Sequence, residues 1–174
     1  MPLSLYDASV PVFLRYLERL GGMLDATEHF AKVHQRSTAE LLGTRLAPDM
    51  LPLATQVVIA VNFTLRAAFP LVGEPVPPPD DFPDTIDGLR ARIAHASTLL
   101  RSLQPRRFLG AQTRTLEGHA GNAIVRLPAP EFLFQYALPN FFFHLSAVYA
   151  ILRSQGLALG KEQFDGFHAY TPEP

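Results

Sequence analysis

Apolar residues recur at helical spacing along four segments of the chain, and the breaks between them are written in proline and glycine. In the first segment, residues 10–32, Phe13, Leu14, Leu17, Leu20, Leu24 and Phe30 fall on one side, while Arg15, Glu18 and Arg19 point elsewhere. Ser9 is placed to cap this helix, and Pro11 suits its first turn, where the missing N–H has no partner to lose. Gly21-Gly22 weakens the middle and gives room for another backbone to approach. His29 and His34 are five residues apart, so they do not share a face, and solvated or capping roles suit them better than ligation.

Residues 37–42 predict a short helical turn, and Pro48 and Pro52 then break the chain. The second long helix is predicted over residues 51–72. It carries no charge from Leu53 to Leu65, which marks a helix buried on all sides. Residues 73–83 hold five prolines and predict an extended, stiff crossing with room to travel the length of a helix bundle. The third helix begins near Asp84 or Thr85 and is ended by Pro105, with Ile86, Leu89, Ile93, Ala96, Leu100 and Leu103 as its apolar stripe. Residues 113–117 and 123–127 have short strand-like patterns around turn residues at 118–122 and predict one β-hairpin, which must pack on the helices to be stable.

The run from 130 to 156 is the one the rest must cover. No residue from Phe132 to Leu152 carries a fixed charge, yet Gln135, Asn140 and His144 lie inside it. About twenty uncharged residues could span a bilayer. Three buried polar side chains and a central Pro139 argue instead for a core helix. Pro139 either kinks a continuous helix or starts a new one. Phe141, Phe142 and Phe143 are consecutive and project about 100° apart, so they cannot all face one core. The surplus must lie under the hairpin, under the N-terminal segment or in a partner chain, and a symmetric homodimer burying part of it is expected.

Composition narrows the function. A net charge of −1 gives no electrostatic case for binding nucleic acid or an anionic membrane. The absence of cysteine removes disulfides, thiolate metal sites and a cysteine nucleophile. The opening residues lack a basic and then apolar leader, so a cytoplasmic location is expected. Asn140 and His144 are one turn apart and face the same way, and Gln56 and Asn62 on the apolar second helix are candidates to meet them. The plainer reading has each amide capping a local carbonyl. An imidazole on a buried helix suits Zn²⁺ or Ni²⁺, but such sites need two or three ligands from facing helices, and Asn140 is a poor one. A hydrogen-bonded polar cluster of His144 with Asn140 and Gln56 is therefore favoured over a metal site. No nucleophile elbow, phosphate-cradling glycine loop or paired-histidine zinc motif is present.

Asn140-Phe-Phe-Phe-His144, followed by Leu152-Arg153 and Gly156, resembles the final helix of the DinB-like (DinB/YfiT) superfamily. The segments Leu5-Tyr-Asp-Ala-Ser-Val-Pro-Val-Phe13, Leu46-Ala-Pro-Asp-Met50 and Ala137-Leu-Pro-Asn140 look like an uncharacterised bacterial branch of it. The resemblance implies an all-α four-helix bundle with a long crossing between helices two and three, here with a small β-hairpin before the last helix. It spans residues 1–160, with residues 161–174 a loosely packed tail. It also implies a three-histidine metal site, used in some members for thiol-dependent transfer or isomerisation. Of that site His144 matches one ligand, Asn140 stands where a second histidine belongs, and the second helix offers only Gln56 and Asn62. The expected function is a small polar pocket of His144, Asn140, Gln56 and Asn62 that binds a small ligand without cofactor or full metal site. The alternative is a Zn- or Ni-dependent thiol-transferase or isomerase. Catalysis is left open.

Overall fold

The computed structural model describes residues 4–79 and 81–168. Four long helices make up the body: α1 (Val10–Val33), α3 (Leu53–Leu71), α4 (Ile86–Ser102) and α6 (Leu138–Ser154). The short α2 (Thr38–Gly43) follows α1, and a two-stranded antiparallel hairpin, β1 (Thr115–Ala120) and β2 (Ala123–Pro128), precedes the last helix. A single turn, α5 (Ala129–Glu131), leads from the hairpin into that helix. The mostly helical protein with one small hairpin is thus as the sequence predicts.

The second and last long helices, expected to be the most buried, pack on each other, and the second is the more deeply buried of the two. Helix α3 is the hub: it packs on both α4 and α6, while α1 packs chiefly on α4. It is long and apolar enough to cross a membrane, but its apolar window is 67% buried inside the fold. Helix α6 has one face in the core and another in solvent. Phe141 is fully buried and meets Phe13 edge-on at 5.2 Å. Phe142 lies against Tyr16 of α1, and Phe143 is 59% exposed. The three consecutive rings therefore go to the core, to the α1 side and to water, as their 100° spacing requires.

Pro139 does not interrupt the last helix. Backbone angles are α-helical at Glu131, Phe132, Ala137 and Leu138. Just before the proline, Phe132–Ala137 winds as a wider π-helix, in which the Leu138 N–H donates to the Leu133 carbonyl. A proline ring in an α-helix collides with the carbonyl four residues back. Widening the preceding turn relieves that collision without ending the helix.

Local chemistry sets the other ends. Thr85 caps α4, its Oγ1 accepting the Gly88 N–H at 3.1 Å. Ser9 does not cap α1 as expected. Its hydroxyl turns back and donates to the Leu5 carbonyl at 2.5 Å, closing the turn before the helix. Gly21-Gly22 admits no neighbour: nothing lies within 4 Å of where either Cβ would stand. The hairpin turn is tighter than predicted, because Gly118 and His119 extend β1 and only Gly121-Asn122 separates the paired Ala120 and Ala123. Gly121 opens that turn with φ +60°, a conformation that costs glycine little. Gly118 serves packing instead. A Cβ there would stand 2.9 Å from the Tyr136 ring and 3.0 Å from that of Phe132, so its absence lets both rings lie on the strand.

After the last long helix the chain packs back on the body as far as residue 165, into the first part of the segment expected to be loose. Leu157 and Leu159 are buried, and α7 (Lys161–Asp165) packs on α1. Phe164 meets Tyr16 and Tyr149 edge-on. Residues 169–174 of the predicted tail lie outside the described residues.

Candidate functional site

The helix packing of α3 on α6 brings two of the four sequence-predicted polar residues together. Gln56, one turn into α3, is 2% exposed. Its Nε2 donates to the Leu51 carbonyl at 3.2 Å, just ahead of the helix. That bond fixes which end of the amide is which, so Oε1 faces α6. There it lies 2.6 Å from Nδ1 of His144. An amide oxygen has no hydrogen to give, so His144 Nδ1 carries the proton and donates. In the neutral ring Nε2 then holds the lone pair.

The surroundings keep that ring neutral. His144 is partly buried, and the loss of water around it pushes its pKa below the usual 6.5. Phe63 stacks on it at 6.0 Å with 21° between planes, and Phe143 meets it edge-on at 5.2 Å. What results is a neutral imidazole, clamped by one amide and flanked by two aromatic rings. Its Nε2 can accept a hydrogen bond or a proton, or bind a metal at one position.

The other two predicted residues do not join. Asn140 lies one turn before His144, but its Nδ2 donates to the Tyr136 carbonyl at 2.7 Å. It satisfies the backbone at the exit of the π-helical turn, the plainer role an amide can take. Asn62 faces away, into a separate cavity beside the crossing segment. The helical period explains this: 56 and 63 fall within about 20° of each other on α3, whereas 62 is turned about 120° from Gln56. Gln135, also inside the uncharged run, is exposed.

Residues that the sequence reading passed over surround the same Phe63 ring. Arg66 of α3 sets its guanidinium 4.6 Å from the centre of the Phe63 ring. Its Nη2 donates to the Tyr136 hydroxyl at 3.1 Å and to the His119 carbonyl. Tyr136 in turn donates to the same carbonyl at 2.7 Å. This knot ties the hairpin to α3 and to the π-helical turn that leads into α6. A charge standing alone in an apolar stretch of helix two was the available signal.

A histidine-type metal site does not fit these residues. One imidazole is present, its Nδ1 is committed to Gln56, and the two amides nearest it in sequence terms are engaged with backbone or remote. Among the described residues no three histidine, aspartate or glutamate side chains gather closely enough to hold a metal ion.

Comparison with known proteins agrees with the architecture. No curated protein matches the chain. Among solved structures, the crystal structure of a DinB family member protein from Shewanella denitrificans is 32% identical, with a TM-score of 0.86. The match covers 97% of this chain and 96% of that one. Residues 5–165 match a family described as a domain of unknown function, DUF1993. With nearly its whole length matched and this helical framework in common, the chain belongs to the DUF1993 family and has a DinB-like fold.

Proposed function

We propose that this is a four-helix bundle of the DinB-like type that binds a small ligand at His144, without metal catalysis. The observation that carries the reading is the 2.6 Å contact between His144 Nδ1 and Gln56 Oε1. It holds the imidazole in one tautomer and one orientation, with Nε2 as an acceptor between aromatic neighbours. A ligand offering an N–H or O–H donor on a flat or apolar body matches that arrangement. Gln56 stands on the helix from which a further metal ligand would have to come, and it uses both ends of its amide within the protein.

Metal analysis of protein purified without a histidine tag tests this, together with ¹⁵N NMR of the His144 ring. The expected result is no stoichiometric Zn²⁺ or Ni²⁺, and a protonated Nδ1 with an unprotonated Nε2 at neutral pH. One equivalent of either metal, lost in His144→Ala, would overturn the proposal and favour a metal-dependent thiol-transferase or isomerase.

A further inference from the structure

The cavity that holds Asn62 has its own chemistry. It encloses about 230 Å³ between Asn62, Leu65 and Arg66 of α3 and Val76-Pro77-Pro78-Pro79 of the crossing segment. That is smaller than the usual range for drug-sized ligands, roughly 300–1,000 Å³. The crossing wall is apolar and stiff, and its three prolines bring no N–H.

The arginines of this protein divide by partner: Arg15, Arg36, Arg114 and Arg153 bond neutral oxygens, whereas others hold carboxylates. Arg90 is held by Asp25, Glu28 and Asp87, Arg107 by Glu74, and Arg126 by Glu117. Arg66 makes no ion pair among the described residues; its partners there are the neutral oxygens of Tyr136 and His119, both on Nη2. A guanidinium has five N–H groups and stays charged at any relevant pH. The three on Nε and Nη1 make no hydrogen bond among the described residues. Because Nη2 is pinned and the group stacks on Phe63, the planar fork is already oriented. Asn62 stands one helical turn earlier on the same face, and its amide likewise makes no hydrogen bond among the described residues.

We infer that Asn62 and Arg66, with the proline wall, form a binding site for a small monocarboxylate with an apolar body. The carboxylate accepts a single charge-assisted hydrogen bond from Nη1 of Arg66, since both paired edges of the fork use the committed Nη2. Asn62 supplies one further donor, and the hydrocarbon part lies on Leu65, Val76 and the prolines. An anion without an apolar portion would leave those walls unused. The site does not involve His144 and stands whether or not that residue binds a ligand.

Benzoate and its uncharged analogue benzyl alcohol are suitable probes, titrated into the full-length ¹⁵N-labelled protein by NMR. Benzoate is expected to shift the Arg66 Nε–H, the Asn62 side-chain amide and the Val76 amide saturably, binding at least about tenfold tighter than the alcohol, since a hydrogen bond to a charged group is the stronger kind. Arg66 also ties down the hairpin, so Arg66→Ala confounds binding with folding. Val76→Trp fills the cavity and leaves every Arg66 bond in place, and it should abolish the shifts. Asn62→Leu should weaken benzoate several-fold and leave the alcohol nearly unchanged. Absence of saturable shifts at millimolar benzoate, equal binding of acid and alcohol, or shifts that persist in Val76→Trp would each overturn the inference.

Discussion

Replacing Gln56 with leucine asks whether the His144 clamp is a coupled unit or two unrelated side chains. Leucine keeps most of the buried volume but removes both amide contacts. The Leu51 carbonyl belongs to an exposed residue and can turn to water, so its loss costs little. His144 Nδ1–H, by contrast, faces a site from which Gln56 excludes water. A buried donor left without a partner costs about 1–3 kcal/mol, so Gln56→Leu should destabilise by about that much. His144→Phe should cost a similar amount, because it strands Gln56 Oε1. Removing both should be far less harmful than the sum, since two apolar groups leave nothing unpaired. A coupling energy of at least about 1 kcal/mol is therefore expected, measured by urea unfolding of the four proteins in one double-mutant cycle. Additivity within about 0.5 kcal/mol would refute the clamp.

The same cycle has a pH signature. Burial lowers the His144 pKa in the folded state below its unfolded value of 6.5. The unfolded chain then takes up the proton first, so this residue's contribution to stability is complete above pH 6.5. It is lost as pH falls toward the folded pKa. The Gln56 oxygen helps the charged ring more than the neutral one, because a charge-assisted bond is stronger. Gln56→Leu should lower the folded pKa further and enlarge the acid loss, and His144→Phe should remove this component. An unfolding free energy of His144→Phe with the same pH slope as wild type between pH 5 and 7 would contradict the assignment, a window set by the ordinary histidine pKa.

Other predictions test the framework. Gly88→Ala would put a Cβ 2.0 Å from the Pro83 carbonyl oxygen, so backbone must move where the crossing enters α4. A loss of about 1–3 kcal/mol is expected by thermal unfolding, and a neutral result would contradict that close approach. Phe141→Ala should cost about 3–5 kcal/mol by removing a fully buried ring from Phe13, whereas Phe143→Ala should stay within about 0.5 kcal/mol in the isolated chain. Equal losses at both positions would mean that the ring directions are wrong. We propose that exposed Phe143, with Leu46 and Met50 beside it, is the face of a homodimer. Sedimentation equilibrium should then give twice the monomer's 19.2 kDa and revert to one mass in Phe143→Asp; a monomer in wild type would dismiss the idea.

The fold was legible because periodicity, capping and proline punctuation act locally. Thr85 capping α4, the uncharged face of α3, the proline-rich crossing and the strand pair before the last helix are each visible within a dozen residues. The divergence of Phe141, Phe142 and Phe143 also follows from sequence alone, because a helix turns about 100° per residue. That these rings went to α1's Phe13, to α1's Tyr16 and to water needed the tertiary structure.

The site was legible only by half, for a physical reason. Sequence shows which polar residues sit in apolar surroundings, and so which must find partners, but not where those partners are. An amide can close on its own backbone, reach a facing helix, or do both. Asn140 took the first course with Tyr136, and Gln56 took both with Leu51 and His144. Asn62 was turned by the helical period toward the crossing segment, where it shares a cavity with Arg66. The chain by itself determined that His144 would need a partner; the rotation and depth of α3 against α6 decided that the partner is Gln56.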